Sequence, residues 1–484
     1  MTSINSPTDR ALILTRAASI LWQMTRTARH DFSDSGVGMS KAGVLILSHC
    51  GYSFVENLLI ILESRGLKSF VLSSCPAEEQ ADYRIRTLSG LTHDMVATRN
   101  HALSWQDVSR MLTRLNAAGE EVLCCISVWE GYRPLMALAN QQLGVTDLPV
   151  KQVDLLRDKL TLRNQLNACG LSRTRATLLT PALLPQMACG DHRYFIKPRV
   201  GLASCGTFSP CAQTHWRDLE AIRGEIGRDP VYQSAFGAVV QFIAEDYLPG
   251  KEYSFEVIAL AGQPHVMAIH EKCELTEVSA AVLEDACVSP PVSLTPDDCQ
   301  RAIAWIHRLF EQLELREGCF HVEARSQDGG WEVIEINPRV GGSFISHSVG
   351  IQNGQQDMLA IWLDTLLSQR SQHARLQQQA KLNALAFKVR SDSVTQRGTF
   401  FRVYFAHRGR IDSISLRTPP HEPLLSQLFL HEGDEITDAS REIFLGQLLW
   451  ECPRNQLKKQ LPALLRESRY AIAVKYHPTT GVNL

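Results

Sequence analysis

The thirteen cysteines of this 484-residue chain include no Cys-x-x-Cys pair. A zinc ribbon or a thioredoxin-type redox site needs that spacing, so neither is the source of function. Cys124 and Cys125 lie inside the apolar run Val122–Val128, which points to buried, reduced thiols in a cytoplasmic protein and not to a disulfide framework. No apolar run is long enough to span a bilayer. The N-terminal stretch Ala11–Met24 is interrupted by Arg16 and lacks a small-residue cleavage site, so it reads as an amphipathic helix and not a signal peptide. A formal charge of −2 with 44% apolar residues leaves no basic excess for a nucleic-acid partner. Neither Gly-x-x-x-x-Gly-Lys-Ser/Thr nor Gly-x-Gly-x-x-Gly occurs, which excludes a P-loop and leaves a dinucleotide fold unsupported. The segment Gly201-Leu202-Ala203-Ser204-Cys205-Gly206 has one residue too many for a Gly-x-Ser-x-Gly nucleophile elbow. Internal repeats and long low-complexity tracts are also missing.

The length suffices for two or three domains with real cores. Residues 1–40 read as an appended helix and a polar linker. Strand Gly43–Ser48, helix Phe54–Ser64 and strand Ser69–Ser73 form a βαβ pattern, and strand Glu121–Ser127 leads through Trp129-Glu130-Gly131 into helix Arg133–Gln142. An open, mostly parallel sheet over residues 41–150 is expected. From Val153 the texture becomes α+β. Helix Asp158–Cys169 is closed by Gly170, strands are expected at Tyr194–Lys197, Val239–Ile243, Glu252–Leu260 and His265–Ile269, and helix Asp297–Leu313 follows. A Gln-rich stretch after Leu366 reads as a helix end plus linker. Strands at Ala384–Val389, Phe400–Phe405, Arg410–Ser415 and Tyr470–Lys475 are then expected in a C-terminal α+β region.

The densest signal is the run from Cys319 to Ser343. Asp328-Gly329-Gly330 is hairpin turn chemistry. A three-residue turn centred on Gly329 places Glu323 directly opposite Glu335. By strand alternation His321, Glu323, Arg325, Glu335 and Asn337 share one face, and Phe320, Val322, Ala324, Ile334 and Ile336 form a core face. Two opposed carboxylates repel, so removing either should hold or raise stability. A hard divalent cation gives a reason to place them there, since Mg²⁺ takes one or two carboxylates and shares its other positions with substrate phosphates. The alternative is an exposed hairpin face on which Arg325 neutralises one acid. Asn337-Pro338-Arg339 then ends the strand, with Asn337 as a third oxygen ligand, and Arg339 enters the loop Val340-Gly341-Gly342-Ser343.

The order acid, strand, acid, Ile-Asn-Pro-Arg resembles the metal-binding end of the ATP-grasp ligases. Four further segments match in the family's order. Arg157-Asp158-Lys159 resembles the first nucleotide lysine and Ile196-Lys197-Pro198 the second. Gly201–Thr207, with Ser204 and Gly206, resembles the loop that covers the phosphates. In the segment Gln241–Ser254, Glu245 and Leu248 would border the adenine and Glu252 would accept the ribose hydroxyls. The resemblance implies an ATP-grasp domain over 151–375, preceded by the α/β domain 41–150 and followed by an α+β domain over 376–484. It further implies ATP with Mg²⁺ (or Mn²⁺) on Glu323, Glu335 and Asn337, and Arg339 at the reacting acyl phosphate.

Val340-Gly341-Gly342-Ser343 replaces the Gln-Val-Glu-His of biotin-carboxylase-type members, and the style is most similar to the L-amino-acid ligases that make dipeptides. The implied activity joins an amino acid or small carboxylic acid to an amine through an acyl phosphate, releasing ADP and phosphate. Partners are then small molecules, with neither nucleic acid nor membrane, and a homodimer is left open. At the substrate end, Glu271 could hold the ammonium, and Arg339 or the amides of Gly341, Gly342 and Ser343 a carboxylate. His270 reads equally as a substrate contact and as a satisfied strand-end histidine. Loading of an acid onto a thiol or carrier protein, and a non-catalytic nucleotide-binding module, are the competing readings.

Overall fold

The computed structural model describes residues 42–477, apart from 51–53, 76–80, 203, 230–233, 237–238, 279–280, 355, 391–395, 418–421 and 437–442. The helix expected before residue 40 lies outside these residues. Strands β1 (Ala42–Ser48), β2 (Lys68–Ser73), β3 (Asp94–Ala97) and β4 (Glu121–Ile126) form a parallel sheet in the order β3-β2-β1-β4, as the βαβ pattern implied. The helix Trp105–Ala117 shows how local chemistry sets these elements. Ser104 and Asp107 close a capping box at its start, and Val108, Met111, Leu112 and Leu115 fall on one buried face.

A small antiparallel sheet follows, β5 (Ala176–Leu178), β6 (Tyr194–Pro198) and β7 (Phe242–Asp246), in the order β5-β7-β6. The strand expected at Val239–Ile243 starts later. Pro198 lies opposite Phe242 at the end of the ladder, and Val239 stays 71% exposed. The main antiparallel sheet is built from β8 (Lys251–Leu260), β9 (Gln263–Val278), β10 (Ala281–Ser289), β11 (Gly318–Gln327) and β12 (Gly330–Asn337). Helix Pro296–Gln312 covers its apolar face, where Phe255, Trp305, Phe310, Phe320 and Val333 share one core.

Past residue 375 come β13 (Arg397–Phe405), β14 (Gly409–Leu416), β15 (Leu425–Leu428), β16 (Glu435–Ile436), β17 (Phe444–Pro453) and β18 (Ile472–His477). Three of them extend the main sheet to eight strands, β12-β11-β8-β9-β10-β13-β17-β15, while β16-β14-β18 form a separate sheet. Two expectations fail here. The Gln-rich stretch is not a linker but a helix, Gln372–Leu385, capped by Ser371, whose hydroxyl accepts from the Ala374 amide. The strand expected at Ala384–Val389 does not form, because Leu382 and Leu385 are buried on the last turns of that helix. All the cysteines are free, Cys124 and Cys125 buried among them. Among the described residues no helix is long and apolar enough to cross a membrane.

Candidate active site

Glu323 pairs with Glu335 and His321 with Asn337, as the alternation required, but by a different route. The turn has two residues, with Asp328 at φ 52° and Gly329 at φ 79°, the left-handed pair of a type I′ hairpin. Gln327 therefore faces Gly330, and a uniform ladder would set Glu323 against Ile334. A β-bulge at Ile334 restores the register by adding one residue to β12. The core face consequently carries Val333, which is fully buried, in place of Ile334. Ile334 instead lines the cleft beside the acids, and its carbonyl lies 3.4 Å from Lys197 Nζ. Arg325 neutralises neither acid of the pair. It donates from Nε to Glu252 (3.1 Å) and from Nη1 to the Leu248 carbonyl (2.6 Å).

A cleft open to solvent gathers Lys159, Lys197, Ser204, Glu245, Leu248, Glu252, Glu323 and Glu335, with Phe195, Tyr247 and Ile334 as apolar walls. Lys197 is 4% exposed and sits 2.5 Å from Glu245 Oε2. Arg163 braces the same carboxylate at 3.1 Å and donates to the Val333 carbonyl at 2.6 Å. Burial opposes the charge on Glu245, yet Lys197 and Arg163 together hold its carboxyl below the usual range. Glu252 differs. There burial outweighs Lys272 and Arg325 and raises the carboxyl above its ordinary value. Asp158 caps the helix Lys159–Ala168 and accepts from Arg199 on both oxygens, which sets Lys159 at the cleft edge. Its Nζ donates to the Gly201 carbonyl (2.9 Å) and lies 3.3 Å from Glu335 Oε2, between the covering loop and the acids. Within that loop Ser204 and Gly206 both adopt positive φ, and the Thr207 amide and hydroxyl donate back to the Ser204 carbonyl.

The acid pair is not a naked repulsion. Glu323 accepts from His321 Nε2 at 2.8 Å, and Glu335 from Asn337 Nδ2 at 2.8 Å. Burial penalises the Glu323 carboxylate, but Lys272, His321 and Arg339 hold its pKa down to about 2. These partners oppose the repulsion on which the expectation of spared stability rested for Glu323. Burial alone would lower the His321 pKa, whereas Glu256 and Glu323 push it up to about 9. Among the described residues no three His, Cys, Asp or Glu side chains converge as a closed metal cage. Glu323 and Glu335 line the cleft and Asn337 is bonded to Glu335 beside them; two carboxylates and an amide are the kind of donor set a hard divalent cation takes when phosphate and water complete it, so these residues fit one.

Arg339 is one-sixth exposed, and its Nη2 lies 3.1 Å from Glu130 Oε2. Glu130 is buried and comes from the turn after β4, so the parallel sheet's end contributes directly to the surroundings of Arg339. Arg133, one helical turn on, pairs with Asp147 through both guanidinium nitrogens and donates from Nε to the Pro338 carbonyl at 2.8 Å, latching the strand end just before Arg339. Of the loop candidates, Gly342 faces open space, Gly341 is buried and Ser343 has φ 51°. Glu271 does not reach the cleft. Its carboxylate accepts from the Val292 and Ser293 amides (2.8 and 2.9 Å) and from Lys251, on the opposite side of β9 from His270 and Lys272. His270 is wholly buried, with Nε2 2.8 Å from Ser348 Oγ, and burial lowers its pKa. Its Nδ1 makes no hydrogen bond and lies 3.5 Å from Glu256 Oε1, so the ring sits inside the protein with one nitrogen unsatisfied. Sequence reasoning missed Arg163 and Glu130. An arginine within the buried face of a helix and an acid just past an apolar strand were the signals available.

Residues 192–347 match the family model described as an ATP-grasp domain. A stretch of 266 residues is 25% identical to carnosine synthase 1 of Gallus gallus, covering 51% of this chain and 28% of that protein, so the chain spans little more than a quarter of that curated relative. An L-amino acid ligase from Bacillus licheniformis superposes with a TM-score of 0.66 and 17% identity over 91% of this chain and 100% of that one. A biotin carboxylase from Campylobacter jejuni gives 0.58 at 13% identity over 89% and 92%. An N5-carboxyaminoimidazole ribonucleotide synthetase from Thermus thermophilus gives 0.55 at 14% identity over 88% and 98%. At such identities these structures speak to the fold alone. The matched ATP-grasp domain spans Lys197 to Arg339, and the fold shared with these structures runs along nearly the whole chain.

Proposed function

We propose that this protein is an ATP-dependent carboxylate–amine ligase acting on an amino acid or small carboxylic acid and an amine. The supporting observation is the shared cleft in which Lys159, Lys197, Leu248 and Glu252 face the opposed Glu323 and Glu335. Glu252 and the Leu248 backbone suit the ribose and adenine. Lys159 and Lys197 suit the phosphates, where phosphoryl transfer requires positioning and charge neutralisation more than covalent help. Glu323, Glu335 and Asn337 would hold Mg²⁺, or Mn²⁺ in its place, which supplies positive charge to the phosphate oxygens. The γ-phosphoryl passes to the substrate carboxylate, and the amine then attacks the acyl carbon and expels phosphate. Arg339 donates to the oxygen that gains charge during that attack. Glu130 holds Arg339 at rest and offers the carboxylate toward which an ammonium would turn, the part first read onto Glu271.

The relatives named carnosine synthase and L-amino acid ligase support an amide or dipeptide product. ADP release measured over an array of paired amino acids, with mass spectrometry of the product, tests the reading. ADP and phosphate with an amide are expected, and only when both an acid and an amine are present. AMP with pyrophosphate would overturn it.

A further inference from the structure

His321 stands two residues before Glu323 and is 4% exposed. Its Nδ1 lies 2.9 and 3.0 Å from the two oxygens of Glu256, and its Nε2 lies 2.8 Å from Glu323 Oε1. Both ring nitrogens face carboxylates, so both donate, and the ring has no freedom to turn. Glu256 is fully buried and is not among the residues lining the cleft. Its remaining neighbours are Ser254 Oγ at 3.0 Å and His270 Nδ1 at 3.5 Å. One oxygen of Glu323 is thereby committed to the protein, leaving the other for a cation.

The same ring supports the loop that carries Arg339. A Cβ built on Gly341 would sit 2.8 Å from His321 Nδ1 and 2.7 Å from Ile345 Cγ2, so this glycine exists to let the loop rest on the imidazole. A second tie runs to the helix after the loop, Ile345–Asn353. Glu256 neighbours His270, whose Nε2 is 2.8 Å from Ser348 Oγ, and Ser348 is 2.6 Å from Thr399 Oγ1. The buried Glu256 thus fixes the His321 ring by hydrogen bonds and lies 3.5 Å from the His270 ring that bonds the helix after the loop.

We propose that His321 is a positioning residue that couples the cation-binding geometry of Glu323 to the placement of the Gly341–Ser343 loop, so that metal–nucleotide binding and the acyl site are set together. The inference rests on the metal assignment made under the proposed function. Hydrogen-bond partners of metal-ligating groups change metal affinity by about 10–100-fold when removed. A histidine that serves only as core packing would change stability and leave the metal untouched.

The test is Mn²⁺ binding to the full-length chain in the presence of ADP, read from the electron paramagnetic resonance signal of free Mn²⁺. His321→Gln, whose amide mimics Nε2, should stay within a few-fold of wild type. His321→Asn mimics Nδ1 and abandons Glu323, so it should weaken Mn²⁺ binding by about 10–100-fold. Gly341→Ala leaves every ligand intact, yet its methyl presses on the imidazole, and it should also weaken Mn²⁺ several-fold. It carries the test if His321→Asn fails to fold. Wild-type Mn²⁺ affinity in His321→Asn and Gly341→Ala, with Glu335→Gln losing it, would overturn the coupling while sparing the site. Unchanged affinity in both Glu323→Gln and Glu335→Gln would overturn the metal assignment itself.

Discussion

Glu323→Gln removes a charge and keeps the shape, and the structure makes it a destabilising change. Opposed carboxylates alone would predict relief. Lys272, His321 and Arg339 outweigh burial and hold the carboxyl down to about 2, from an ordinary value of 4.5. That gap is worth on the order of 3 kcal/mol, at about 1.4 kcal/mol per pH unit. The side chain is only 14% exposed, so water screens little of it. The sign follows from linkage. The folded pKa lies below the unfolded one, so the stabilisation is complete above about pH 4.5 and disappears as pH falls through about 2. At pH 7 the variant therefore loses all of it. Glu335 is 20% exposed and faces Lys159 at 3.3 Å, so Glu335→Gln should cost less than about 1 kcal/mol. Amide hydrogen exchange of β8 and β11, without nucleotide or metal, isolates the main sheet from the other units. Protection in Glu323→Gln should fall by roughly a hundredfold, and in Glu335→Gln by less than tenfold. A Glu323→Gln protein as well protected as wild type, or better, would refute the reasoning.

Other consequences are as direct. Lys197→Ala should raise the ATP KM at least tenfold, about 1.4 kcal/mol, and normal ATP kinetics would show that the lysine serves Glu245 alone. Arg339→Lys keeps the charge but loses the planar fork, so kcat should fall by about 100-fold with ATP affinity nearly unchanged; a matching loss in ATP affinity would move Arg339 out of the transition state. The loop Gly201–Thr207, tied to Lys159 through Gly201, should exchange more slowly once a non-hydrolysable ATP analogue binds, and equal rates would count against a lid. Burial and the nearby His307 hold the His265 pKa down to about 4. Its neutral form is favoured by folding, so stability should decline as pH drops from about 6.5 toward 4, and His265→Gln should flatten that decline in urea midpoints.

The hairpin, the opposed acids and the order of nucleotide segments were legible because each depends on a few neighbouring residues. Turn chemistry follows from Gly329, strand faces from alternation, and helix starts from caps such as Asp158. The expected turn was nevertheless one residue too long. The pairing of Glu323 with Glu335 survived because a bulge at Ile334 compensated, and no local pattern announces a bulge. Its side chain settles against the nucleotide cleft while Val333 fills the core facing Ala324, a choice made by packing.

The partners of the charged groups were decided by tertiary structure alone. Glu130 meets Arg339 from 209 residues away, Arg163 meets Glu245 from 82, and His321 meets Glu256 from 65. Glu271 and His270 adjoin in sequence, yet alternation sends them to opposite sides of β9, and loop amides claim the acid. Sequence determined which residues can carry charge or ligate a cation, because that is fixed by their own chemistry. Which of them stay available to a ligand is settled by what buried neighbours demand, since an unpaired charge in the interior costs too much to leave.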